Sequence, residues 1–147
     1  MKIAIGSDHA GVLLKKLIIE KFKDIDFDDV GTHSEESCDY PDYAAEACYR
    51  VRDGFADAGI VICGSGIGIS IAANKVRGIR AALCFNSYMA EMSKRHNNAN
   101  VLALGARVIG HDVALDIVDK WIKAPFEGGR HQKRVDKITG IENKECQ

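Results

Sequence analysis

The sequence has no Cys-x-x-Cys pair, and its five cysteines, Cys38, Cys48, Cys63, Cys84 and Cys146, are odd in number and widely spaced. That argues against a zinc cluster or a disulfide framework and suits a reducing cytoplasm. Charge of one sign is not in excess. With 20 basic and 21 acidic residues, the formal net charge of −1 offers no general attraction to nucleic acid or a membrane surface. No apolar run approaches the length that spans a bilayer. The first residues, Met1-Lys2-Ile3-Ala4-Ile5-Gly6, enter a strand-like run without the layout of a signal peptide, so a soluble cytoplasmic protein is expected. Internal repeats and low-complexity segments are also missing, and only the tail from Glu142 to Gln147 reads as dispensable.

What is present is one domain's worth of chain, 147 residues of which 46% are hydrophobic, enough to bury a core without staples. Its centre is Ile60-Val61-Ile62-Cys63-Gly64-Ser65-Gly66-Ile67-Gly68-Ile69-Ser70-Ile71-Ala72-Ala73-Asn74-Lys75. An apolar run ends on a thiol, glycines alternate through the turn, and a helical segment follows. The glycine spacing is neither the dinucleotide fingerprint nor a Walker A loop. Two readings stand on local evidence. Cys63 is a small buried hydrophobe and the glycines permit close packing, or the thiol, the Ser65 hydroxyl and bare backbone N–H groups form a base beside an oxyanion hole.

In chain order, Ile3–Ile5 is expected as a strand, with Asp8 and His9 in the loop after it and a helix bearing Leu13, Leu14, Leu17, Ile18 and Phe22 on one side. Asp8 fits an N-cap and His9 a surface loop, but both lie where open α/β sheets bind ligands. Ile25–Val30 reads as the second strand, and Tyr40-Pro41-Asp42-Tyr43 opens a helix carrying Ala44, Ala47, Cys48 and Val51. Tyr43 fits core packing or a pocket wall.

Ile79–Phe85 is the expected fourth strand, Ser87–Arg95 a helix closed by a His96-Asn97-Asn98-Ala99 loop, Val101–Leu104 the fifth strand, and His111–Lys123 a further helix. His96 serves either a helix C-terminus or a proton transfer near neutral pH. The last helix, about 129–142, is unusually basic. Arg130 and Arg134, four apart, share a face that is either solvated or a grip for one phosphate, while Val135, Ile138 and Ile141 suit packing on this domain or on a neighbouring subunit. Strand and helix alternate five times without hairpin signals. The expected fold is α/β, a Rossmann-like three-layer sandwich with a five-stranded parallel sheet and helices on both faces.

Asp8-His9, Cys63-Gly64-Ser65-Gly66-Ile67-Gly68, His96-Asn97, Arg107 and the Arg130/Arg134 pair together resemble the sugar-phosphate isomerase family of the ribose-5-phosphate isomerase B type, which includes the subunits of galactose-6-phosphate isomerase. The resemblance runs over nearly the whole chain. It implies that Cys63 is the base moving a proton between carbons 1 and 2 of an open-chain sugar, and that Ser65 with the backbone of Gly64, Gly66, Ile67 and Gly68 holds the enediolate oxygens. It further implies that His96 opens the furanose ring, that Asp8, His9 and Asn97 contact the sugar, and that Arg107, Arg130 and Arg134 bind substrate, chiefly its phosphate. Members are homodimers or homotetramers with sites across a subunit interface and need no metal or organic cofactor. Relatives often have threonine at the place of Ser65, and one branch uses a glutamate where this chain has Ile69. Cys63 is thus the only candidate base between Ile60 and Lys75.

The expected activity is interconversion of ribose 5-phosphate and ribulose 5-phosphate in pentose phosphate metabolism. The same apparatus suits a six-carbon phosphate of allose or galactose. A non-catalytic phosphate or nucleotide sensor would bind without Cys63, and a thiol-redox enzyme would need a resolving thiol that no nearby cysteine supplies.

Overall fold

The computed structural model describes residues 1–145, so Cys146 and Gln147 of the tail lie outside the described residues. The strands are β1 (Lys2–Ser7), β2 (Asp26–Asp29), β3 (Ala58–Cys63), β4 (Ala81–Leu83) and β5 (Val101–Gly105). The helices are α1 (Val12–Lys21), α2 (Tyr40–Arg52), α3 (Ile67–Ala73), α4 (Ser87–Asn97), α5 (His111–Lys123) and α6 (Arg130–Glu145). All strand pairs are parallel, in the order β2-β1-β3-β5-β4. The expected α/β sandwich is therefore the fold.

Strand side chains alternate between two faces, and the sequence puts different sizes on each. Ile3, Ile5, Ile60, Ile62, Leu102 and Leu104 meet Leu14 and Ile18 of α1 and Ile117 and Trp121 of α5, whereas Ala4, Val61, Cys63 and Ala103 meet the small residues Ala44, Ala47 and Cys48 of α2 and Ala73 of α3. Each fully buried Ile or Leu contributes roughly 1.5–3 kcal/mol relative to exposure. Small residues on the second face bring α2 and α3 close to the sheet, so the turn after β3 is pinned between helix and strand.

Several local expectations need correction. Leu13 is 57% exposed and Lys15 fully buried. Lys15 is drawn inward by the end of β2 and the loop after it, since Lys15 Nζ donates to Asp29 Oδ1 at 2.6 Å and to the Thr32 carbonyl at 2.8 Å. His96 and Asn97 belong to the last turn of α4, not to a loop, because the helix is stopped one residue later by Asn98 in the left-handed region (φ 48°). β1 reaches Ser7, while β4 keeps only three residues. The tail is not idle, as Glu142 accepts from the Gly78 N–H and Asn143 accepts from Arg77.

Candidate active site

The strand order reverses between β1 and β3, and a crevice opens outside the carboxyl ends of strands at such a point. Asp8 follows β1 and Cys63 ends β3. The two strand ends are joined by a bond from the Asp8 N–H to the Ile62 carbonyl at 3.2 Å. On the other side, the N–H groups of Ala106 and Arg107 donate to the carbonyls of Cys63 and Gly64, each at 2.9 Å. The turn after β3 is thus stitched to both neighbouring strand ends.

Within the turn, Gly66 is left-handed (φ 78°) and packs so closely on β5 that a Cβ there would lie 2.5 Å from Leu83 Cδ1 and 2.9 Å from the Gly105 nitrogen. Only glycine meets both demands. Its N–H donates to Cys63 Sγ at 3.2 Å, and the Ile67 N–H donates to Ser65 Oγ at 3.2 Å. Ser65 accepts that bond and keeps its own proton to donate. Cys63 is 4% exposed, at the floor of the crevice, whereas Ser65 and Ile67 are exposed at its rim. α3 has only seven residues, so the turn's own N–H groups, more than a long helix dipole, supply the positive potential.

The walls follow from the same packing. Arg107 is exposed, and its Cδ and Nη1 lie 3.5 Å from the place a Gly64 Cβ would take, with Ala10 on the other side at 3.7 Å. Tyr40 opens α2 with its ring against Gly68. Asp8 is 5% exposed and caps the short 3₁₀ turn His9–Gly11 by accepting from the Ala10 N–H at 2.9 Å. His9 Nδ1 accepts from the Cys38 N–H at 3.2 Å. Since a backbone N–H only donates, the neutral His9 ring carries its proton on Nε2 and offers that as a donor.

The remaining expected residues form a second cluster. His96 stacks on His131, ring centroids 4.2 Å apart and planes 4° from parallel. Glu127 Oε2 lies 3.8 Å from His96 Nε2 and 3.5 Å from His131 Nε2, and its Oε1 accepts from Arg95 Nε at 2.6 Å. That hydrogen bond, first, holds the Glu127 carboxyl below the usual carboxylate range. Arg130 Nε donates to His131 Nε2 at 3.5 Å, and Arg130 and Arg134 are exposed on one side of α6. Asn97 faces a groove of about 630 Å³ between α4 and α6, lined also by Arg80 and Ile141. His96, Glu127 and His131 have the donor types of a metal centre, with ligand atoms within 4.8 Å of one another. The geometry does not suit one, because lone pairs in two nearly parallel ring planes have no point in common.

The two clusters lie at opposite ends of the sheet. β3 and β5 register Cys63 with Gly105 at the carboxyl end and Gly59 with Val101 at the amino end, roughly 13 Å away along the strand. α4 starts after the carboxyl end of β4 and returns, so its His96 turn arrives beside Asn100, whose carbonyl accepts from Gly59. Within one chain the fold gathers Asp8, His9, Cys63, Gly64, Ser65, Gly66, Ile67, Gly68 and Arg107, and separately His96, Asn97, Arg130 and Arg134. Sequence reasoning missed Tyr40, Glu127 and His131 as site neighbours. His131 stood in the sequence as one basic residue of the last helix, and nothing local marked its burial.

This geometry defines a doubly wound α/β protein with a buried thiol at the carboxyl end of the strand beside its topological switch point. Residues 3–138 match the family model described as Ribose/Galactose Isomerase, and the chain belongs to that family. It is 50% identical over 145 residues, 97% of each chain, to ribose-5-phosphate isomerase B of Escherichia coli (strain K12). Its fold matches the solved ribose-5-phosphate isomerase B of Clostridium thermocellum at TM-score 0.97, with 60% identity and 99% of each chain covered. The enzyme of Mycoplasma genitalium, solved with bound ribulose-5-phosphate, matches at TM-score 0.91 and 44% identity, covering 97% of this chain and 96% of that one. Among the described residues no helix is long and apolar enough to cross a membrane.

Proposed function

We propose that this protein is an aldose–ketose isomerase that interconverts D-ribose 5-phosphate and D-ribulose 5-phosphate, with Cys63 as the mobile base. The observation that carries the reading is the buried Cys63 sulfur at the carboxyl end of β3, 3.2 Å from the Gly66 N–H at the turn into α3. Isomerisation removes a proton alpha to a carbonyl and returns it next door, so it needs one base between two carbons and donors for the enediolate oxygens. The Cys63 thiolate takes the C2 proton of the open-chain aldose, and the electron pair passes through the enediolate. The thiol then returns a proton to C1 while the proton on O2 passes to O1, so that the carbonyl forms at C2. Ser65 and the turn amides hold the charged oxygens, and Arg107 and His9 Nε2–H offer donors to substrate oxygens, including phosphate. Binding energy from the remote phosphate thereby orients the reacting carbons.

His96 opens the furanose ring, and Arg130 and Arg134 add phosphate contacts. Their separation from Cys63 within one chain supports a site completed by a second copy, which brings its α4 and α6 ends to this crevice. The chain acts in this reading as one domain and as a cytoplasmic homodimer or a larger homo-oligomer. Exposed Ile67, Ile71 and Tyr88 supply apolar surface for such a contact.

The test is ketose formation from ribose 5-phosphate by the purified protein and its Cys63→Ala variant, with and without chelator, beside allose and galactose 6-phosphates. Turnover confined to the intact protein and indifferent to chelator supports the reading. An inert intact protein sinks the pentose assignment, and activity only on a six-carbon substrate replaces it.

A further inference from the structure

We propose that His131 is a positioning residue for ring opening: its ring backs the His96 imidazole and fixes the plane from which His96 serves the furanose oxygen. This rests on the reading above that His96 opens the ring.

His96 sits in the last turn of α4 with its side chain about one-third exposed, and a side chain there has wide rotamer freedom unless something fixes it. The parallel His131 ring at 4.2 Å does so. His131 is itself 4% exposed in the first turn of α6, too enclosed to meet a sugar. Its surroundings also keep it uncharged. Burial first, then the charges of His96, Arg130 and Arg134, hold its protonation below the usual imidazole range, and only Glu127 opposes them. A second positive charge stacked on the His96 ring would be repelled, so the uncharged His131 ring is the one that can lie flat against it. Glu127, steadied by Arg95, faces both rings.

In ring opening the C1–O4 bond breaks, His96 gives its proton to O4, and the O1 proton leaves to water as the aldehyde forms. Solvent then reprotonates His96. His131 exchanges no proton in this step and acts only through the orientation of its neighbour.

Ribulose 5-phosphate has no ring to open, because the hydroxyl that would close a furanose carries the phosphate. Deuterium wash-in at its C1 in heavy water therefore reads the Cys63 step alone, whereas turnover of ribose 5-phosphate also needs His96. In His131→Ala we expect ribose 5-phosphate turnover to fall about tenfold and C1 exchange to stay within about twofold. In His131→Phe, which restores a neutral plate without a nitrogen, turnover should recover to within about threefold of the parent. Equal losses in both assays would mark a merely structural role and overturn the inference, as would an unchanged His131→Ala. A Phe variant as impaired as Ala would show that the ring nitrogen is required and overturn it as well. A parent protein inactive on ribose 5-phosphate overturns the proposed function itself, and the inference with it.

Discussion

The Gly66 N–H donates to the Cys63 sulfur across 3.2 Å, three residues along the same turn. The bond fixes the sulfur at the end of β3 while the Gly66 backbone rests on β5, so thiol and scaffold are held by one peptide. Cys63→Ala should lose about 10³-fold in kcat for ribose 5-phosphate, within the range for a deleted general base. Cys63→Ser keeps the size but not the acidity, so no ionised base forms near neutral pH, and it should be nearly as impaired. Steady-state kinetics beside thermal melts checks both, and an Ala variant retaining full activity would end the thiol-base mechanism.

Two glycines of the turn should separate stability from activity. At Gly66 a Cβ would meet Leu83 at 2.5 Å and the Gly105 nitrogen at 2.9 Å, with φ at 78°. Gly66→Ala should cost about 2–4 kcal/mol from strain and overpacking, and abolish turnover because the donor to Cys63 moves. At Gly64 the nearest atoms would be Arg107 and Ala10, from 3.5 to 3.7 Å away, which is ordinary contact. Gly64→Ala should fold within about 0.5 kcal/mol of the parent, yet raise KM by narrowing the space between Arg107 and the turn. Urea melts and kinetics on both variants decide this; equal destabilisation would refute the contrast.

The turn was legible in the sequence because its chemistry is local. A thiol, three glycines and a hydroxyl lie within six residues, and Gly66 at their centre answers a demand of its own backbone and of the strands beneath it. The alternation of apolar strands with helices likewise announced a parallel sheet. What stayed hidden depends on distant partners. The burial of Lys15 depends on Asp29, at the end of β2, and Thr32, from the loop after it, being brought over it. His131 reads as one more basic residue of α6 until α4 supplies His96. The end of α4 was misjudged because Asn98 in the left-handed region closes a helix as readily as it begins a loop, and the sequence does not distinguish the two.

Lys15 offers a stability test away from the crevice. Its side chain is fully buried, and its ammonium bonds Asp29 and the Thr32 carbonyl, while Asp29 also accepts from the Gly31 N–H at 3.0 Å. Lys15→Met removes the cation and leaves the carboxylate and the carbonyl without their shared donor. Because Asp29 is partly exposed and keeps one bond, we expect a loss of about 3 kcal/mol, at the low end for a broken buried pair. Pairing Lys15→Met with Asp29→Asn should recover part of it. Chemical denaturation of the two variants measures the difference, and a Lys15→Met protein as stable as the parent would refute the role.

The alkaline limb of stability should be set in part by two buried thiols. Burial pushes Cys48 up from about 9 to about 12, and Cys84 up to about 11, where a bond with Ser93 partly offsets it. In the unfolded chain both release their protons near 9, whereas in the fold they keep them, so above that pH the native state binds more protons. Stability must then fall as pH rises, by at most about 1.4 kcal/mol per pH unit for each thiol, until about 11 for Cys84 and about 12 for Cys48. Below pH 8 neither thiol contributes a slope. Lysines and tyrosines also titrate in the alkaline range, so the informative quantity is the difference between the parent and Cys48→Ala. The variant should be less stable at pH 7.5, having lost packing between α2 and β3, but its stability should decline less steeply from pH 9 to 10.5. Parallel slopes in urea denaturation across that range would show that Cys48 does not retain its proton in the fold.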